Sequence, residues 1–107
     1  MFNLRSMPWI KLANTKELPP GELIEVEVGD KLYALCNVDG EIRALHGTCP
    51  HQGGPLGEGV LNGGIVACPW HMWEFDSKTG ACAMNAELVI PTYEVRVEGP
   101  DVLVNIA

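Results

Sequence analysis

Apolar and polar residues alternate with a period of two along most of the chain. In Leu23–Val28, Ile24, Val26 and Val28 fall on one face and Glu25 and Glu27 on the other, the mark of a half-buried strand. Lys31–Val38 and residues 41–45 flank Asp39-Gly40, a two-residue turn that needs positive φ and so predicts a hairpin. Residues 9–12 predict a first strand, 65–68 a short one after Asn62-Gly63-Gly64, and 73–76 another before Ser77-Lys78-Thr79-Gly80. Tyr93, Val95 and Val97 alternate with Glu94, Arg96 and Glu98, and Gly99-Pro100-Asp101 then reverses the chain into a strand over 102–106. Residues 16–18 allow at most one helical turn before Pro19-Pro20-Gly21. Short strands at close spacing with Gly/Pro punctuation predict an all-β, antiparallel sandwich or barrel.

Residues 46–59 break the pattern. They hold Gly47, Gly53, Gly54, Gly57, Gly59, Pro50 and Pro55, which exclude a regular strand and predict a loop that turns tightly and approaches something closely. With 107 residues, a single domain spanning 1–107 is expected, large enough for a real core but small for a conventional enzyme with its own substrate cavity. Fourteen acidic residues against seven basic ones give a formal net charge of −7. That balance argues against a nucleic-acid partner, which needs a basic footprint, and suits steering toward a positively charged surface. Met1-Phe2-Asn3-Leu4-Arg5-Ser6-Met7-Pro8 has no apolar run of export-signal length, and no stretch approaches the roughly 20 apolar residues of a spanning helix. A cytoplasmic protein with no membrane partner is the expectation.

The chemistry lies in Cys49-Pro50-His51 and Cys68-Pro69-Trp70-His71, separated by residues 52–67. Cys and His select iron–sulfur clusters, zinc or copper over hard cations. Their interleaved order matches a two-iron cluster in which one iron takes both thiolates and the other both imidazoles. Tetrahedral zinc with a Cys₂His₂ set stays open, although zinc sites usually pair like ligands. Two disulfides are the other use of four cysteines, disfavoured where thiols stay reduced. Cys36 alternates with Leu32, Ala34 and Val38, and Cys82 lies in Ala81-Cys82-Ala83-Met84; both read as buried small apolar residues. His46 falls outside the ligand pattern and reads as a surface or hydrogen-bonded residue. Trp70, between two ligands, either shields the metal centre or forms a docking surface.

The pattern Cys49-x-His51 followed by Cys68-x-x-His71 resembles the Rieske [2Fe–2S] family, in particular its soluble bacterial oxygenase-type ferredoxins. Cys49-Pro50-His51-Gln52-Gly53-Gly54, and Trp73-Glu74-Phe75-Asp76 with Thr79-Gly80 after the second motif, match as well. The resemblance covers about residues 9–106. It implies the all-β Rieske fold, a β-base carrying a small cluster-binding subdomain, with cluster loops at about 46–59 and 68–76. It also implies that Cys49 and Cys68 bind one iron, and His51 and His71 the other through Nδ1. Respiratory-type members carry a further Cys in each loop, joined as a disulfide clamp; Gly54 and Trp70 stand at those places. Their Ser and Tyr hydroxyls that bond to sulfur are replaced by Trp73 and Phe75. Met72 stands where many relatives have Gly.

Once the cluster is built, only His46 remains for a mononuclear iron triad, and there is no nucleotide-binding Gly fingerprint. The expectation is an electron carrier, not an enzyme in itself, passing electrons from a flavin-dependent reductase to a terminal oxygenase of aromatic compounds. A small accessory subunit of a reductase, such as that of nitrite reductase, is the second reading, and a zinc-stapled binding module the third.

Overall fold

Asp39 and Gly40 take φ of 54° and 99°, the left-handed pair that a tight hairpin turn demands. They join β3 (Lys31–Val38) to β4 (Glu41–His46), which pair in register from Val38↔Glu41 to Tyr33↔His46. The computed structural model describes residues 9–106, so the N-terminal segment Met1 to Pro8 read for an export signal lies outside the described residues, as does Ala107. Before this hairpin run β1 (Trp9–Asn14) and β2 (Leu23–Val28). After it come β5 (Val60–Asn62), β6 (Ile65–Ala67), β7 (Glu74–Asp76), β8 (Thr92–Tyr93), β9 (Val95–Glu98) and β10 (Asp101–Asn105).

Among the described residues three antiparallel sheets result, in the orders β1-β10-β9, β2-β3-β4-β8 and β5-β6-β7. The architecture is all-β, as the alternation predicts. Strand β3 lies between two cores, and Tyr33 through Asn37 are all buried. Leu35 joins Ala13, Leu18, Ala44, Val102 and Val104 toward the β1-β10-β9 sheet. Ala34 and Cys36 face the other way, toward Leu56, Val66, Phe75, Cys49 and Cys68. The first core makes the base; the second seats the small β5-β6-β7 sheet upon it. Each fully buried Leu, Val or Phe contributes roughly 1.5–3 kcal/mol to that seating. Cys36 and Cys82 are buried in the second core, which bears out their structural reading. Burial pushes the Cys36 thiol up to about 11, against the lowering effects of Ser77 and Arg43.

A polar tie crosses the same boundary. Arg43 Nη1 on β4 donates to Ser77 Oγ at 2.8 Å, beyond the end of β7, and Ser77 is buried.

Four local expectations are corrected or refined. The alternation over 93–98 predicts one strand, but the segment splits at Glu94. Tyr93 pairs with Ala44 in the middle sheet, while Val95 pairs with Val104 in the β1-β10-β9 sheet. The chain changes sheets there, and Val97 is left exposed. Glu25 does not face open water: its Oε1 is buried, beside Glu58, with no satisfying donor among the described residues. Inside the 46–59 loop, Leu56–Glu58 forms a 3-10 turn. The helical turn expected near 16–18 is a 3-10 turn at Thr15–Glu17, closed by a capping box with Asn14.

Candidate metal centre

Both motifs sit at hairpin-like ends. The first is pinched at its base by the Thr48↔Pro55 bridge and closed by Cys49 N–H on Gly54 O at 2.8 Å and Gly53 N–H on Cys49 O at 2.7 Å. The second extends the β6–β7 ladder, with Cys68 N–H on Trp73 O at 2.8 Å and Met72 N–H on Cys68 O at 3.1 Å. His71 and Met72 both adopt positive φ, 69° and 58°. Two consecutive left-handed residues let this turn reverse in so few steps.

The four expected ligands divide by depth. Cys49 and Cys68 are 1% and 0% exposed, on the inner side among apolar residues, while His51 and His71 are exposed. The two imidazoles meet edge to face, with centroids 5.5 Å apart and planes at 83°. Cys68 is pushed up by burial, relieved by the Trp70 N–H that reaches its Sγ at 3.4 Å, and raised again by the adjacent Cys49 thiol. Two abutting thiols in an apolar core ionise only when a cation replaces their protons. The donor chemistry therefore suits a metal group. Among the described residues no three metal-binding side chains converge on one point. What the fold presents is a thiol pair below an imidazole pair, the division that a two-iron group with two protein ligands per iron requires.

Gly54 explains how close the loops come. A Cβ at that position would lie 2.7 Å from Cys68 Sγ and 3.1 Å from Cγ and Cδ2 of Trp70, so only glycine fits. The indole lies across the other loop at the place where the respiratory type has its disulfide, and all four cysteines are unbridged. The Trp70 ring lies against Gly54 and is still 48% exposed. His46 ends β4, its N–H bonded to Pro91 O at 2.9 Å.

Two residues that the sequence pattern does not single out as neighbours of the expected ligands touch them directly. The Trp73 ring stacks on His51, with centroids 4.1 Å apart and planes at 13°. Gln52 Oε1 lies 2.9 Å from His71 Nε2. In sequence Trp73 is legible only as a missing hydroxyl and Gln52 only as the residue after a ligand. Phe75 is buried at 0% exposure and carries no hydroxyl, as expected.

A family model described as "Rieske [2Fe-2S] domain" matches residues 8–94. The chain is 38% identical over 101 residues to the ferredoxin component of biphenyl 2,3-dioxygenase from Rhodococcus jostii, covering 94% of each. It is 35% identical over 100 residues to the ferredoxin component of the naphthalene 1,2-dioxygenase system of Pseudomonas aeruginosa, covering 92% of this chain and 96% of that protein. Among solved structures it superposes with TM-score 0.82 and 30% identity on a chain from the complex of reduced oxygenase and oxidised ferredoxin in carbazole 1,9a-dioxygenase, covering 91% of this chain and 92% of the other. The all-β architecture described above is thus shared with that chain.

Proposed function

The chain belongs to the Rieske [2Fe–2S] domain family, and on that footing we propose that it is a one-electron carrier, taking electrons from a flavin-dependent reductase and passing them to a terminal oxygenase that acts on aromatic compounds. The observation that carries this reading is the buried thiol pair beneath two exposed imidazoles. It gives the site an insulated inner side and one accessible outer edge. Cys49 and Cys68 would hold one iron, His51 and His71 the other through Nδ1. When bound there, the cluster supplies one reversible reducing equivalent at the imidazole-bound iron.

The chain's own residues do the rest. The apolar core around Cys49 and Cys68 excludes water from the sulfurs. Trp70 and Met72, 48% and 52% exposed, flank His71 in sequence and offer apolar surface for brief docking. Encounters of redox partners are typically small and transient, and a formal charge of −7 favours fast approach to a basic patch. The named relatives support this role, since each is called the ferredoxin component of a dioxygenase. We read the chain as an electron-transfer component rather than an enzyme in its own right. A cytoplasmic location accords with its unbridged thiols; among the described residues no helix is long and apolar enough to cross a membrane.

Hydrogen bonds to the sulfurs tune the potential. The Trp70 N–H makes a long contact to Cys68 Sγ, and Trp73 and Phe75 bring no hydroxyl. A potential in the low part of the roughly −150 to +300 mV Rieske range follows. A dye-linked redox titration tests this: a value well above about +100 mV, in the upper part of that range, contradicts it.

A further inference from the structure

The two imidazoles do not have equivalent surroundings. His51 has the Trp73 ring stacked on its face and, among the described residues, no hydrogen bond to its ring nitrogens. His71 has no such stack, but its Nε2 lies 2.9 Å from Gln52 Oε1. The Gln52 amide comes from the first loop and the histidine from the second, so this contact also bridges the loops where no disulfide does.

Resting on the ligand assignment proposed above, we infer that Gln52 is a positioning residue for His71. The amide oxygen accepts from Nε2–H, which fixes the tautomer and leaves Nδ1 as the ring nitrogen free to ligate. An acceptor behind a ligating imidazole also makes the ring a stronger donor, which favours the oxidised state of the metal it binds. The bond matters doubly because His71 sits at positive φ, a conformation an L-residue holds only when its surroundings impose it. The ring is thus held from both ends: by the Cys68–Trp73 turn at the backbone and by Gln52 at its far nitrogen. His51, stacked but not hydrogen-bonded, lacks this electronic bias. The two histidines are unequal ligands, and Gln52 is the residue that makes them so.

The test replaces Gln52 in the full-length, cluster-loaded protein and reads the potential and the nitrogen couplings in pulsed electron paramagnetic resonance. Gln52→Leu keeps the bulk and removes the acceptor; Gln52→Glu keeps an oxygen at the same reach and strengthens it. Gln52→Leu is expected to raise the reduced-to-oxidised ratio at fixed potential about threefold to tenfold, about 30–60 mV at 59 mV per tenfold for one electron, and Gln52→Glu to lower it. The couplings of one histidine change and those of the other stay. Parent-like potentials in both variants, or shifts of the same sign, overturn the inference. Should Gln52→Leu fail to load, Gln52→Glu decides: loading with a lowered potential supports the role, while failure to load or an unchanged potential contradicts it. A parent protein without histidine-coupled nitrogen signals would refute the ligand assignment itself, an outcome distinct from silent Gln52 variants.

Discussion

At the scale of residues, the four proposed ligands stand out because Cys and His at that interleaved spacing have few other uses, whereas their surroundings were not legible. Gln52 and Trp73 act on histidines from the opposite loop, and no local pattern encodes a contact made across two hairpins. Glu25 shows the same limit. Period two places it on the polar face of β2 beside Glu27, yet its backbone packs against the 3-10 turn at Leu56–Glu58 and its Oε1 is buried. There a Cβ on Gly57 would lie 2.6 Å from Glu25 Cα. Burial, then the negative charges of Glu58 and Glu27, hold its carboxyl above the ordinary value of 4.5. A carboxyl raised in the fold contributes stability below its unfolded value, and that contribution is lost as pH rises through the folded one. A glutamine side chain has no charge to bury, so Glu25→Gln should stabilise the holoprotein at pH 7 by about 0.5 kcal/mol, a gain kept small by solvent screening. The gain should shrink as pH falls toward 4.5. Urea denaturation at several pH values measures this, and a variant less stable than the parent at pH 7 contradicts it.

At the scale of elements, β2 and β3 have the bounds that the sequence predicts, because each is bounded by a turn signal. The failures lie where tertiary structure divides or creates strands. β8 and β9 follow one alternating run but belong to different sheets, and three-residue β5 exists by pairing with β6. Met72 illustrates a local conflict. It holds φ of 58°, where many relatives have Gly, and a left-handed L-residue costs roughly 1–2 kcal/mol. Part of any gain from glycine is offset by its freer unfolded chain, worth roughly 0.5–1 kcal/mol. Met72→Gly should therefore load the cluster normally and match or exceed the parent's stability by up to about 1 kcal/mol, whereas the β-branched Met72→Val should be clearly less stable. Thermal unfolding of the three holoproteins, with visible absorbance as the loading check, gives the order; a Met72→Gly protein below Met72→Val would reverse it.

At the scale of the whole molecule, two cores share the central β3–β4 hairpin. One consolidates the base, and the other surrounds the two thiols. That division explains why fold class and cofactor were both readable from 107 residues: alternation specifies the base, and the Gly/Pro-rich interruption specifies what it carries. The Arg43–Ser77 bond and the Trp70–Gly54 contact, which set how the small sheet and the two loops are held, depend on three-dimensional proximity and were not readable. These loops are proposed to place two thiolates and two imidazoles around one iron pair. Pulsed electron paramagnetic resonance of the chemically reduced, as-purified protein tests it most directly. A signal from a single unpaired electron coupled to two inequivalent histidine nitrogens is the result this structure predicts. A silent, colourless protein, or a signal without histidine coupling, would contradict it.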